Sequence, residues 1–403
     1  MAGLKKNEDL PVLGVRFGVG LSWDHTNGPH VDLDLQAVAF SNAGVLMDAV
    51  YFNNLKALGK GLTHSGDETT GERSGFDELV WAHLERLPSE VALVAIVLAA
   101  HGGCHLRDAK NGKFTVLEDT TEKQVARFDL EESVEEVDLV GALLRVGNGW
   151  VFRLIEIPAQ DGRHFIDILE PTIGNFVRSV IPGAPKRIKA AFSMEKGSVV
   201  DLPRTSHVKT IKTALGWDTS SGKVDLDVSA VLLDGNHKEW DCIFFGKQHG
   251  QGLTHSGDNL TGAGEGDDEV ITVNLEQVPK RVEQIILVIN IYTKGKSFAL
   301  VANPYCRVLA ANGDELCLYK LNEAGDKEAL IIARLFREYG GERWGFQALG
   351  IPCIGQTWKD SMPHIKQAAC VDVRTLQQQF NPVGVHEELR PPMPNACGDC
   401  CVL

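Results

Sequence analysis

An acidic stretch that the chain carries twice is where chemistry is expected. Residues 250–270 read GQGLTHSGDNLTGAGEGDDEV, and residues 59–79 read GKGLTHSGDETTGERSGFDEL. Positions 258 to 269 hold five carboxylates and no Lys, Arg, Cys or His. Carboxylates at this density repel one another unless a cation lies among them, and glycine allows the sharp turns that let oxygens converge. Because the donors are hard oxygens, the stretch predicts Ca²⁺ first and Mg²⁺ or Mn²⁺ second.

Other interpretations of the acidic stretch fit less well. An EF-hand beginning at Asp258 would place Leu260 and Gly262 where side-chain oxygens are needed. A phosphate-binding glycine loop is disfavoured because five acids without a lysine repel phosphate. A single acidic run is most simply a solvated surface loop, but its recurrence in a second, similar context favours a binding site.

The repeat extends well beyond the acidic stretches. VDLDLQAVAF (31–40) corresponds to VDLDVSAVLL (224–233), and residues 79–100 correspond to 270–292. A period this long indicates a duplicated domain rather than a solenoid of short repeats. We therefore divide the chain into copy one (1–157), a linker (158–189), copy two (190–357) and a flexible tail (358–403). Residues 192–202 are expected to form an opening hairpin of copy two, without an obvious counterpart in copy one.

Each copy is expected to be mostly β. Residues 31–36 alternate apolar and polar side chains, and residues 91–100 and 285–292 are apolar runs of strand length. One helical pattern appears late in each copy, at 135–145 and at 327–339, where apolar residues recur at spacings of three and four. The predicted fold is dominated by β structure: two tandem β-sandwich domains, each with a late short α-helix.

The bulk properties restrict the classes of function. The chain has 403 residues, of which 43% are hydrophobic and 23% charged, as in an ordinary soluble protein. A net charge of −14 disfavours nucleic acid as a partner and favours cations. Six of the nine cysteines lie outside the terminal cluster of Cys397, Cys400 and Cys401, mostly in apolar runs typical of buried free thiols. Together with the lack of a signal-peptide pattern, they predict a cytoplasmic location.

The strings LGWD, DLDVSAVLL and GLTHSGDNLTGAGEGDDEV resemble those of the TerD family of tellurite-resistance and stress-response proteins. The resemblance covers 192–357 closely and 12–157 more loosely. It implies a Ca²⁺-binding β-sandwich with no established enzymatic activity, and eukaryotic relatives described as cyclic-AMP-binding proteins.

The resemblance also implies ligand positions. Thr261 and the carbonyl groups of Gly262 and Gly264 could complete an oxygen shell of six to eight. In copy one Arg73 and Phe76 replace a glycine and an acid of copy two, so this copy is expected to bind weakly or not at all, with Arg73 partly replacing the ion. The implied ligands are Asp225, Asp227, Asp258, Asn259, Asp267, Asp268 and Glu269 in copy two, and Asp32, Asp34, Asp67, Asp77 and Glu78 in copy one.

His64 and His255 recur beside the acidic stretches. Neither lies in a repeated Ser-His-Asp or Cys-His arrangement, and Ca²⁺ seldom takes imidazole, so we expect them to position the loops through hydrogen bonds. No catalytic constellation is recognisable. The protein is therefore predicted not to be an enzyme, although a hydrolase that used the metal would be hard to recognise from sequence.

The end of the chain predicts lipid attachment. Its last four residues, Cys400-Cys401-Val402-Leu403, form a C-a-a-X sequence ending in leucine, which is typical of geranylgeranylation at the first cysteine. Cys397 is the candidate for a second lipid, because one chain without a polybasic segment binds membranes weakly. A chance terminus or a thiol cluster is the alternative.

These observations predict a Ca²⁺-binding, non-enzymatic protein of the cytoplasm that reaches a membrane face through its lipid anchor. It would act as a sensor or scaffold for a protein partner in stress response or membrane-linked signalling. The alternative is a protein that binds a small ligand such as a cyclic nucleotide.

Overall fold

We describe the protein from a computed structural model. It describes residues 5–24, 31–101, 104–130, 135–159, 162–190, 192–204, 208–219, 224–259, 266–321, 325–338, 341 and 343–373. These residues divide into two compact units. The first holds those between Met1 and Ala39 and between Ala49 and Gln160, and the second holds Phe40–Asp48 and those between Asp161 and Asn381.

The first half of the chain forms two six-stranded sheets. Phe17 and Phe152, one from each sheet, stack with ring centroids 5.2 Å apart, as expected where two sheets pack face to face. The sheet orders are β1-β12-β11-β8-β3-β4 and β10-β9-β2-β7-β6-β5. The strands are β1 (Asp9–Val12), β2 (Arg16–Asp24), β3 (Asp32–Ser41), β4 (Leu46–Val50), β5 (Lys56–Ala57), β6 (Leu62–His64), β7 (Glu78–His83), β8 (Val91–His101), β9 (Lys110–Glu118), β10 (Thr120–Asp129), β11 (Val137–Val146) and β12 (Gly149–Ala159).

The second half repeats this arrangement with one additional strand. Its sheet orders are β13-β23-β22-β15-β20-β19-β18 and β14-β25-β24-β21-β16-β17. The elements are α1 (Gly174–Val180), β13 (Phe192–Met194), β14 (Val199–Asp201), β15 (Thr210–Thr219), β16 (Leu226–Asp234), β17 (Glu239–Ile243), β18 (His249–Gly250), β19 (Leu253–His255), β20 (Glu269–Asn274), β21 (Val282–Ile291), β22 (Val301–Ala310), β23 (Glu315–Lys320), β24 (Ala329–Glu338), β25 (Arg343–Cys353) and α2 (Met362–Cys370).

The predicted fold class is confirmed, but the two helices do not lie where the sequence pattern placed them. Residues 135–145 and 327–339 fall largely within the strands β11 and β24, whereas α1 and α2 each follow one copy along the chain. β24 is buried on both faces, and its register shifts between Ile331 and Ala333. A two-sided strand needs no polar alternation, and a register shift breaks the period of two, so apolar spacings of three and four arise without a helix.

Residues 192–202 do not form the expected hairpin. β13 pairs in parallel with β23, whereas β14 pairs antiparallel with β25 in the other sheet. The chain crosses between the sheets in the turn after Met194, and Gly197, which has a φ of +83°, already donates its N–H to the Ala348 carbonyl oxygen on β25. β1 takes in copy one the place that β14 takes in copy two, since each pairs with the last strand of its sheet. The expected lack of a counterpart in copy one is therefore wrong for this half of the segment.

The stretch predicted as a flexible tail begins with ordered structure. α2 packs on the outer face of the β24 sheet through Ile365, Ala368 and Ala369, together with Trp358. Polar side chains of the sheet then hold the following backbone. Arg334 Nη1 donates to the Val371 carbonyl oxygen at 2.9 Å, and Gln347 Nε2 donates to that of Val373 at 3.0 Å. Among the described residues no helix is long and apolar enough to cross a membrane.

Candidate metal centre

Three aspartates converge in each copy. Carboxylate oxygens of Asp225, Asp227 and Asp258, the copy-two aspartates, all lie within 4.8 Å of one another. The first two lie at the start of β16, where residues two apart share a face of the sheet, and the third follows β19. The copy-one aspartates, Asp32, Asp34 and Asp67, form the same arrangement at β3 and after β6.

A buried histidine fixes the loop that carries the third aspartate. His255 Nε2 lies 3.2 Å from the carbonyl oxygen of Val228 on β16, and its Nδ1 accepts the Gly257 N–H at 3.0 Å. In copy one His64 makes the same contacts with Leu35 and Gly66, at 2.9 and 3.0 Å. Burial lowers the pKa of His64 to about 4, so this ring is neutral near pH 7. The histidines therefore position the loop, as the sequence predicted.

A buried glutamate ties the same loop to the opposite sheet. Glu269 Oε2 accepts the Val228 N–H at 2.8 Å, and Oε1 accepts the Asn259 N–H at 3.2 Å. The pairing of β16 with β17 begins at Ala230, so at Val228 side chains of the other sheet bind the backbone instead. Glu78 of copy one likewise accepts the Leu35 N–H at 2.7 Å. In the described geometry this glutamate belongs to the scaffold rather than to the aspartate cluster.

The acids immediately before this glutamate also have protein partners. Asp268 accepts the Trp217 N–H at 2.9 Å and the Asn259 side-chain amide at 2.9 Å. Asp77 accepts the Trp23 N–H at 2.9 Å in the same way. These contacts join the acidic loop to β15 in copy two and to β2 in copy one.

Position 267 is used differently in the two copies. Asp267 forms a two-pronged ion pair with Arg307, at 2.8 and 3.0 Å, and accepts a hydrogen bond from the Tyr305 hydroxyl at 3.1 Å. At the equivalent place in copy one, Phe76 packs against an apolar cluster that includes Trp81. Neither side chain joins the aspartates.

The chain was compared with known proteins. The TerD domain family matches residues 4–165 and 190–359, which together are most of the chain. The chain belongs to the TerD family.

Two relatives each match less than half of this chain over most of their own length. Tellurium resistance protein TerZ of Serratia marcescens is 39% identical over 191 residues, which cover 44% of this chain and 97% of TerZ. General stress protein 16U of Bacillus subtilis is 39% identical over 172 residues, which cover 39% of this chain and 89% of that protein. A solved TerD homologue from Streptomyces coelicolor is 23% identical, with a TM-score of 0.34, and the match covers 42% of this chain and 98% of that structure.

In this TerD chain the copy-two aspartates repel one another. Burial, together with repulsion from Asp225, Glu269 and Asp258, raises the pKa of Asp227 to about 7. Burial also raises the pKa of Asp225, again with repulsion from Asp258 and Glu269. Asp225 Oδ1 is buried and accepts no hydrogen bond from the part of the chain that the structure describes. A hard divalent cation fits this donor set, because it binds carboxylate oxygens and offsets their charge.

In copy one protein cations lie beside the acids. His101, at the end of β8, forms a buried ion pair with Asp34. Burial raises the pKa of Asp34 to about 6, against the opposing effect of His101. Arg73 donates to the Asp77 carbonyl oxygen at 2.7 Å, and its Nε lies 3.7 Å from a Glu68 oxygen. The sequence singled out Arg73 but not His101, whose counterpart in copy two is Tyr292.

The remaining loop positions include predicted residues and two serines that the sequence analysis missed. Asn259 uses its backbone and side-chain N–H groups to bind Glu269 and Asp268. Ser256 and Ser65 were not predicted to have a role, yet each closes the base of its loop: the Ser256 hydroxyl accepts the Val270 N–H at 3.0 Å. Their identity in the two copies was the available signal. Thr261, Gly262, Gly264, Cys397 and Cys400 lie outside the described residues.

Proposed function

We propose that this TerD-family chain is a non-enzymatic Ca²⁺-binding protein whose main site is formed by the copy-two aspartates. The observation that carries the proposal is the convergence of three carboxylates from two separate segments, one with a buried oxygen that accepts no hydrogen bond from the described residues. Asp225, Asp227 and Asp258 would hold the ion. Its positive charge would offset the burial and the mutual repulsion that raise the pKa values of Asp225 and Asp227. Calcium is favoured over softer metals by an all-oxygen donor set.

The surroundings of the cluster support a binding role rather than catalysis. Both ring nitrogens of His255, the imidazole nearest in sequence, are engaged with backbone groups. A histidine that acts as a general base needs a ring nitrogen that is available to accept a proton from a reactant. We therefore propose that the ion neutralises the loop and completes a surface for a protein partner, as a sensor or scaffold. The names of the relatives, a tellurium resistance protein and a general stress protein, support a role in stress response.

Calorimetric titration with Ca²⁺ in a Mg²⁺ background tests the proposal. Two matched variants are compared with the wild type: Asp225→Asn/Asp258→Asn in copy two and Asp32→Asn/Asp67→Asn in copy one. We expect saturable binding that the first variant loses and the second retains. Absence of binding in the wild type, or its loss only in the copy-one variant, would overturn the proposal. Titration with cyclic AMP in the same calorimeter checks the alternative of a nucleotide-binding protein.

We also propose membrane attachment on the cytoplasmic side through Cys400, with Cys397 as the second lipid site. The support is the C-a-a-X sequence alone. Mass spectrometry of the protein isolated from eukaryotic cells should find a geranylgeranyl group on Cys400 that is lost in Cys400→Ser. An unmodified terminus would remove this part of the proposal.

A further inference from the structure

A pocket of about 170 Å³ lies beside the copy-two aspartates and shares Asp227 with them. One wall consists of four aromatic side chains, Phe244, Phe245, Tyr292 and Trp358. The ring centroids of Phe244 and Trp358 are 6.0 Å apart, and those of Phe245 and Tyr292 are 6.4 Å apart. We call these four residues the aromatic wall.

The wall suits a small planar ring. Phe245 and Tyr292 are 37% and 54% exposed, so both rings are accessible to a ligand. Aromatic side chains bind other rings by stacking and by edge-to-face contacts. An apolar cavity of about 150 Å³ is known to bind benzene, so the volume here corresponds to one ring with a small substituent.

The other side of the pocket is polar. Asn290 lies opposite Asp227 in the register of β21 and β16, and it is 1% exposed. Its Nδ2 donates to the Gly355 carbonyl oxygen at 2.8 Å and to Ser361 Oγ at 2.9 Å. Its Oδ1 accepts no hydrogen bond from any described residue, which is costly for a buried polar atom. Lys359 adds a positive charge to the lining.

We infer that this pocket binds a small aromatic acid, meaning one planar ring that carries a carboxylate or a phosphorus acid. The ring would lie on the aromatic wall, and the acid would lie toward Asp227 and the ion that we propose there. Ca²⁺ takes six to eight oxygens, so three aspartates leave positions that an oxygen of the ligand can take. Without the ion, Asp227 would repel the acid. The inference rests on the proposed calcium site and adds the class of ligand.

Copy one differs at each of these places. Tyr51 and Phe52, which correspond to Phe244 and Phe245, are 1% and 6% exposed. His101 stands where Tyr292 stands and is paired with Asp34. Among the described residues, the exposed rings of this pocket are thus found in copy two and not at the equivalent positions of copy one, so the single chain provides its own contrast.

The test uses the full chain, saturation-transfer NMR and five probes. Benzoate and phenylphosphonate carry both a ring and an acid, acetate and methylphosphonate carry the acid only, and benzyl alcohol carries the ring only. With saturating Ca²⁺ we expect benzoate or phenylphosphonate to bind with a dissociation constant on the order of 1 mM, as is typical of very small ligands. Binding should weaken at least ten-fold in chelator, and the probes with only one of the two groups should bind at least ten-fold more weakly.

Variants identify the pocket as the binding site. Phe245→Ala/Tyr292→Ala should weaken binding of the aromatic acid at least ten-fold while calorimetric Ca²⁺ binding stays unchanged. Trp240→Ala is the matched control, because Trp240 is 41% exposed and stacks on Arg281 instead of lining the pocket. If Ca²⁺ binds but neither aromatic acid does, or if they bind equally well in chelator, this inference falls and the proposed function stands. If Ca²⁺ does not bind, both fall.

Discussion

The two copies share a scaffold and differ in what faces the aspartates. The hydrogen bonds of the buried glutamate to β16 and β3 measure 2.8 and 2.7 Å, and those of the preceding aspartate to the tryptophan N–H are both 2.9 Å. Around the cluster, however, copy one has His101 and Arg73 where copy two has Tyr292 and Gly264. The hydrogen bonds that hold the loop are therefore retained in both copies, while the residues that surround the aspartates differ.

The comparison also shows how a carboxylate cluster can be balanced without a metal. In copy one the His101 imidazole pairs with Asp34 and opposes the rise that burial causes in the pKa of this aspartate. In copy two Asp227 has other carboxylates as its main electrostatic neighbours, and its pKa rises to about 7. Copy two thus has the greater electrostatic need for an added cation.

The largest expected effect distinguishes a residue that holds the loop in place from a residue that binds the ion. Glu269→Ala removes the acceptor for two backbone N–H groups, so the free energy of unfolding should fall by about 3 kcal/mol. Asp258→Ala, at an exposed position, should leave stability almost unchanged yet abolish Ca²⁺ binding. Urea denaturation and calorimetry measure the two quantities. Equal destabilisation by both substitutions would contradict the distinction.

Removing the basic side chains near the copy-one aspartates should make the Ca²⁺ affinity of copy one more like that of copy two. Arg73→Gly/His101→Asn removes two basic side chains of copy one, and we expect its Ca²⁺ affinity to rise about ten-fold or more, because Asp34 loses its histidine partner and the acidic loop loses the arginine beside Glu68. The measurement is calorimetry in an Asp225→Asn/Asp258→Asn background, in which copy two is expected not to bind Ca²⁺. Tyr292→His is the converse change and should weaken the copy-two site. An unchanged copy one would show that charge compensation does not explain its difference.

Stability should depend on pH in a way that calcium removes. The folded-state pKa of Asp227 lies near 7, above the value of about 3.9 that it has in the unfolded chain. Between these values the folded protein holds the extra proton, so stability should decrease as the pH rises from about 4 to about 7. Metal-free protein should therefore have a lower melting temperature at pH 7.5 than at pH 5.5. Saturating Ca²⁺, or Asp227→Asn, should flatten this part of the profile, and a slope that survives both would point to other groups.

The smallest effect is expected at Asp267. Because its carboxylate is held by Arg307, Asp267→Asn should change Ca²⁺ affinity less than about three-fold and stability by about 1 kcal/mol. The comparison is with Asp258→Ala in the same titration. Loss of binding in Asp267→Asn would mean that this side chain reaches the ion, as the sequence motif alone implies.

The sequence was sufficient to predict the duplication, the β-rich fold and the acidic loops, because each is a local pattern. It was not sufficient to show that three consecutive acids have different partners and different roles. Asp267 pairs with Arg307 on β22, Asp268 caps Trp217 on β15, and Glu269 binds Val228 on β16. These partners come from distant strands, and only the packing of two sheets brings them to one loop.

His101 was missed for the same reason. It ends a buried apolar strand, and its partner Asp34 lies on another strand of the same sheet. The strands β11 and β24 were mistaken for helices because burial on both faces removes the alternation that identifies a strand.

The anchoring of α2 to the sheet has a geometric consequence for the proposed lipid. Val371 and Val373 are held by Arg334 and Gln347, so the last part of the chain departs from a fixed point on the second unit. The segment from Val373 to Cys400, even fully extended, spans at most about 100 Å. A prenyl group on Cys400 would therefore attach the second unit to the membrane through a segment no longer than this. It would keep Val373 within that distance of the membrane, which would raise the effective concentration of the second unit toward a membrane-bound partner.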